Sequence, residues 1–153
     1  MRIAVIGSAA ESYCRSLYNN TENRKKLLDR YPKSFFGLYS RETGDAEAPL
    51  FAVDFESAEE GGVFAALWRL LKRNGLGGSF SQRAIPVTQA AIEICETFGL
   101  DPYRCPSKGC FVLLLREDRD DVTVIGHTAK GAAIVRTDGE TISYLRRPEG
   151  SKQ

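Results

Sequence analysis

A single histidine, His127, stands in this chain of 153 residues, beside one methionine and one tryptophan. That one imidazole follows Gly126 at the end of a candidate strand. It supports no Ser/Cys–His–Asp arrangement, and a satisfied or exposed histidine is the simpler reading. Excess charge is missing too: 21 basic against 20 acidic residues leave a net charge of +1. Nucleic-acid and membrane binders that work by charge need a strong basic excess, so neither is expected as a partner. No stretch approaches the roughly 18 consecutive apolar residues of a membrane span. The N-terminal MRIAVIGSAAESY carries only Arg2 as a positive charge and lacks the longer apolar region and cleavage site of a secretory signal. A cytoplasmic chain with four reduced thiols is therefore expected. Its length and its 42% hydrophobic residues suit one globular domain, read as residues 1–147 with 148–153 as a frayed tail.

Recognisable cofactor and metal spacings are also lacking. A dinucleotide fingerprint G-x-G-x-x-G needs its second glycine for approach to the pyrophosphate, and IAVIGSAAES offers only Gly7. There is no C-x-x-C motif. Cys105 and Cys110 bracket a Pro-Ser-Lys-Gly turn, but the remaining candidates, Cys95 and His127, fit no zinc spacing. No metal site is assigned, and Cys105→Ser with Cys110→Ser is expected to leave folding and metal content nearly unchanged. Cys14 and Cys95 fall on apolar helical faces, where a thiol is usually core.

What is present is an alternation of strand and helix signals. Residues 2–6 read as a buried strand. Ser8-Ala-Ala-Glu11 matches a capping box before a helix with Ala10, Tyr13, Cys14, Leu17 and Tyr18 on one face. A short basic helix over 22–30 stops before Pro32. Residues 33–40 and 50–55 read as strands joined by the polar loop 41–49, as in a hairpin. Ser57-Ala-Glu-Glu60 is a second capping box, followed by the apolar stripe Val63, Phe64, Leu67, Leu70 and Leu71 and a stop at Asn74-Gly75. Gly77-Gly78 reads as loop, and 83–87 as extended before and around Pro86. Thr88 caps a helix ending at Gly99. Strands follow at 110–116, 122–126, 132–137 and 141–145, the last two joined by an Asp138-Gly139 turn.

Two adjacent glycines, Gly61 and Gly62, in a helix's first turns cost roughly 1 kcal/mol each relative to alanine. Either a ligand approaches the backbone there, as a phosphate does at a helix N-terminus, or a neighbouring element packs closely. Glu56, Glu59 and Glu60 would repel an anion, which favours packing.

From about Asp54 to Leu115 the chain resembles the C-terminal domain of the aminoimidazole-ribonucleotide (AIR) synthetase superfamily, which includes selenophosphate synthetase, thiamine-monophosphate kinase and a hydrogenase-maturation branch. The resemblance rests on Glu60-Gly61-Gly62, Ile85-Pro86-Val87, Ile94-Cys95, Gly99-Leu-Asp-Pro102 and Ser107-x-Gly109, in that order, and is strongest to the hydrogenase-maturation branch. It implies an α+β fold: a mixed β-sheet flanked by helices, partly similar to a ferredoxin-like arrangement. It makes Glu60, Gly61, Gly62, Ser107 and Gly109 the candidate ligand or interface residues. Relatives carry an N-terminal ATP-binding domain, an Asp-x-Thr-Glu-Gly-Gly run and, in the hydrogenase branch, a terminal reactive cysteine. Here Ser57 and Glu59 replace the acid and the threonine, and the chain ends Ser-Lys-Gln. No catalytic residue and no resident cofactor are therefore expected, with ATP and magnesium only where another chain supplies the missing domain. The resemblance implies a non-catalytic binding or accessory module that pairs with itself or with a separately encoded protein. Alternatives are a subunit of a split ATP-dependent enzyme and a module for a small phosphorylated ligand.

Overall fold

The computed structural model describes residues 1–40 and 47–148. Seven strands form one mixed sheet in the order β2-β4-β1-β5-β3-β6-β7. They are β1 (Arg2–Ile6), β2 (Asp54–Ser57), β3 (Gly77–Ser81), β4 (Phe111–Leu115), β5 (Thr123–Ala129), β6 (Ile134–Asp138) and β7 (Thr141–Tyr144). All neighbouring pairs run antiparallel except β3 and β6. The helices are α1 (Glu11–Asn19), α2 (Thr21–Leu28), α3 (Gly62–Arg73) and α4 (Gln89–Thr97). This is the expected α+β architecture.

Strand alternation sorts side chains between the two faces of the sheet. Ile3 and Val5 of β1, with Val112 and Leu114 of β4, meet the stripe of α3 in the largest core cluster. Ala4, Leu113 and Leu115 face the other way, against Phe55 and Phe111. A separate cluster joins α1, α2 and α4 through Cys14, Tyr18, Leu27, Ile94 and Cys95. Thr88 caps α4 as expected, accepting from the Ala91 N–H at 3.2 Å. Residues 116–122 lead from β4 to β5 without a helix.

Several expectations are corrected. Residues 33–40 form a 3-10 segment, Lys33–Ser40, of two turns kinked at Phe36, not a strand. Phe36 and Tyr39 are its buried aromatics, three residues apart, and Phe36 lies 4.9 Å from the Tyr18 ring. Rings that resemble an aromatic strand in sequence here fill a helical corner. The second expected strand shrinks to Asp54–Ser57, with a turn at Leu50 and Phe51. Much of the loop proposed to join the two, residues 41–46, lies outside the described residues, as do tail residues 149–153.

Neither capping box forms. Helix α1 starts after Ala10, which holds φ 64°, and α3 after Gly61 at φ 77°. Ser57 closes β2 instead, and its hydroxyl accepts from the Glu59 N–H, two residues on. Gly77-Gly78 opens β3 rather than a loop. A Cβ on Gly77 would fall 2.3 Å from the Ala133 carbonyl oxygen, and one on Gly78 2.6 Å from that of His127. The glycines are what allow neighbouring chain segments to close in. Residues 82–84 make a short 3-10 turn before the extended Ile85. The β6–β7 turn sits one residue later than expected. Asp138 pairs with Thr141, leaving Gly139-Glu140 as the loop with Gly139 at φ 62°. A positive φ at the first loop residue is the type II′ pattern.

Candidate functional site

Three loops converge where β1 and β2 end and β4 begins. Ile6 and Ser57 both stand opposite Phe111 in the sheet. The loop after β1 contributes Gly7 to Ala10, the loop after β2 contributes Ala58 to Gly61, and the long connection from α4 contributes residues 98–110. The family-like residues Glu60-Gly61-Gly62 and Ser107-x-Gly109, far apart in sequence, lie on two of these loops.

Ser107 is the buried centre of the junction, with no exposed surface. Its hydroxyl accepts from the Ala10 N–H and donates to the Cys105 carbonyl, each at 2.8 Å. Its own N–H donates to the Ala58 carbonyl at 2.9 Å, and Ala58 N–H donates to the Cys110 carbonyl at 2.9 Å. All three loops are thus bonded through one side chain and its neighbours. Ser12 adds a tie by accepting from the Lys108 N–H at 2.8 Å. Gly109 stands at φ 84°, and its carbonyl oxygen would lie 2.8 Å from a Cβ on Gly7. The single glycine after β1 is therefore explained by chain crossing chain.

Gly62 meets the α4–β4 connection in the same way. A Cβ there would lie 2.5 Å from the Tyr103 carbonyl oxygen and 2.8 Å from the Arg104 Cα. Phe64 N–H donates to that carbonyl at 3.1 Å, so one free donor of the helix N-terminus already has a partner. Close packing accounts for Gly62. Glu60 and Gly61 are exposed beside it. Glu60 offers its carbonyl to Arg69 at 2.9 Å.

The cysteines separate. Cys110 belongs to the cluster under α3, whereas Cys105 belongs to the cluster around α1 and α4. Cys14 and Cys95 come together instead, sulfur to sulfur at 3.7 Å. All four thiols are free and buried. Burial pushes Cys110 up to about 12, and burial followed by the neighbouring Cys95 does the same to Cys105. The hydrogen bond between Cys14 and Cys95 raises the first and lowers the second. Thiolate, not thiol, is the reactive form, and access is closed. An aromatic disulfide reagent at neutral pH is expected to titrate almost no thiol in the native protein and four after denaturation; rapid native labelling would contradict the packing. The double serine substitution would cost roughly 1–3 kcal/mol for each buried hydroxyl left unpartnered.

Among the described residues, no group of three or more His, Cys, Asp or Glu side chains is placed to hold a metal ion. No helix among them is long and apolar enough to cross a membrane. One feature escaped the sequence. A cavity of about 480 Å³ is lined by Arg104, Arg136, Ser143, Tyr144, Arg146 and Arg147, with Leu145. The adjacent pair Arg146-Arg147 was its only visible signal.

No protein-family model matches the chain, and no curated protein matches it. Solved structures do. The hydrogenase maturation protein HypE superposes with a TM-score of 0.67 at 17% identity, over 99% of this chain and 54% of that one. The structure of a HypE–HypF complex matches at 0.61 and 15%, over 96% and 52%. Thiamine monophosphate kinase from Aquifex aeolicus matches at 0.60 and 17%, over 90% and 49%. The chain spans about half the length of each. It has the AIR synthetase C-terminal-like fold that the motifs implied.

Proposed function

We propose that this chain is a binding or accessory module that docks on a separately encoded protein built like the other half of its structural neighbours. The observation that supports this best is the match over 99% of this chain to 54% of HypE. In that longer chain the same fold occupies about half of the residues. The HypE–HypF complex adds that one of these neighbours assembles with another protein.

The surface that suits docking runs from Leu50 to Gly61. Leu50, Phe51 and Val53 are 82%, 43% and 46% exposed. They lead into β2, an edge strand that pairs with β4 and, among the described residues, with no other strand. The Phe55 N–H and carbonyl on that edge are taken up by the Asp54 carboxylate and Arg73, so the exposed apolar side chains are what favour association. Glu60 and Gly61, exposed beyond the other end of β2, are proposed to extend this surface. Ser107, Gly62 and Gly109 act beneath it by fixing the loops.

Affinity purification from the native cell, followed by identification, tests the reading. A companion chain with the fold of the neighbours' other half is expected to co-purify. Leu50→Asp with Val53→Asp should abolish co-purification while leaving the thermal midpoint nearly unchanged. Retention of the companion by that variant would move the docking face elsewhere, and self-association measured by light scattering would make the companion a second copy.

A second reading treats the assembled pair as an ATP-dependent enzyme with ATP and magnesium held mainly by the companion. The fold shared with thiamine monophosphate kinase favours it. ATP turnover by the purified pair, absent from either chain alone, is the expected result.

A further inference from the structure

The arginine-lined cavity concentrates positive charge on a chain whose net charge is only +1. Its members come from distant places: Arg104 from the α4–β4 connection, Arg136 from β6, and Arg146 and Arg147 from just beyond β7. The fold aligns them. Arg136 stands opposite Ser143 across the β6–β7 pair, and its Nε donates to the Ser143 hydroxyl at 3.0 Å. Arg104 and Arg136 both place their guanidinium carbons near the buried Phe64 ring, 5.2 and 5.3 Å from its centroid. That ring is fixed by Tyr103, stacked on it at 5.2 Å, and by Phe80 edge-on at 5.8 Å. Two guanidiniums are thus oriented by one immobile aromatic.

Among the described residues the lining is of one sign, four arginines and no carboxylate. Asp101 pairs with Arg104 at 3.2 Å, and both groups are about half exposed. The Arg136–Ser143 bond is to a neutral hydroxyl. Like charges gathered in one concavity raise the local positive potential and attract an anion. Every cation is arginine, whose planar fork matches phosphoryl oxygens two at a time. The volume is that of a small-molecule site. A near-neutral chain with a confined basic cavity suits a compact anion better than a long nucleic-acid backbone, which needs an extended basic track.

We infer that this cavity binds a small molecule carrying two or more phosphoryl groups, through the guanidiniums of Arg104, Arg136, Arg146 and Arg147 and the Ser143 hydroxyl. Leu50, Phe51 and Val53 lie beside β2, at the sheet edge opposite β7, so the cavity stands or falls independently of docking there. It also differs from the N-terminus of α3, where the Phe64 N–H is already bonded.

Calorimetric titration of the full chain with inorganic pyrophosphate and tripolyphosphate tests it, in buffer of near-physiological ionic strength. Saturable binding of one tripolyphosphate is expected, tighter than pyrophosphate and much tighter than sulfate. Arg146→Gln with Arg147→Gln should weaken it at least about tenfold, the effect of losing one charge-assisted bond. Arg136→Gln should do the same. Arg146→Gln alone, at an exposed position, should melt no lower than the parent without ligand. No binding of tripolyphosphate, or binding indifferent to these substitutions, overturns the proposal. So does equal binding of sulfate or poly-glutamate, which would mean unspecific attraction, or markedly tighter binding of a single-stranded RNA, which would make the partner a nucleic acid.

Discussion

Gly62→Ala is expected to lower the thermal midpoint by roughly 6–12 °C, the shift that about 3 kcal/mol produces in a domain of this size. Two costs combine. Gly62 holds φ 82°, a conformation that disfavours any Cβ by about 1–2 kcal/mol. The added methyl would also lie 2.5 Å from the Tyr103 carbonyl oxygen and under 3 Å from the Arg104 backbone. Backbone cannot swing aside as a flexible side chain can, so overpacking adds roughly 1–3 kcal/mol. Gly75→Ala separates the terms. Gly75 has φ 65°, and a methyl added there would meet nothing within 4 Å, so it should show only the conformational cost. Equal melting of the two variants would show that α3 does not begin against the Tyr103–Arg104 backbone. Gly126→Ala belongs to the same test at a harsher site. Its Cβ would fall 1.9 Å from the Ser79 carbonyl oxygen, between strands paired on both sides. A loss above about 4 kcal/mol, read as failure to fold, is expected there.

Ser107→Ala carries the second large effect, roughly 2–4 kcal/mol. The hydroxyl it removes satisfies the N–H of Ala10 and the carbonyl of Cys105. Ala10 is fully buried, so its N–H gains no water in exchange. An abandoned buried donor costs about 1–3 kcal/mol, and the carbonyl adds a further share. Ala10 also holds φ 64°, an uncommon conformation for a residue with a side chain, so its surroundings must keep it in place. Hydrogen exchange reads the local effect directly. The Ala10 amide should be among the slower ones in the parent and exchange much faster in Ser107→Ala. A variant that melts normally with that amide still protected would show that Ser107 is not the tie between the three loops.

Much of this arrangement could be read from the sequence, and the misses share physical causes. Helix α3 was legible because Val63, Phe64, Leu67, Leu70 and Leu71 repeat at helical spacing and all are buried. Strands β1 and β4 were legible as short apolar runs. Residues 33–40 misled because Phe35, Phe36 and Tyr39 favour strands in general, while their packing on Tyr18 and Tyr31 was not visible from spacing. Strand β3 was hidden behind Gly77-Gly78, since glycine punctuates loops but also admits a close neighbour. The two capping boxes failed because both helices start after a residue of positive φ, a tertiary feature that no four-residue pattern carries. Of the candidate residues, Glu60-Gly61-Gly62 and Ser107-x-Gly109 fell on loops that meet. The arginine cavity was not legible, because only the folded sheet brings residues 104, 136, 146 and 147 together.

The central proposal is that the exposed Leu50, Phe51 and Val53 dock a companion chain. Purification at native abundance, with identification and stoichiometry of whatever accompanies it, tests this most directly. A one-to-one partner with the fold of the neighbours' other half, lost on Leu50→Asp with Val53→Asp, is the predicted result. The parent chain recovered alone and monomeric would contradict it.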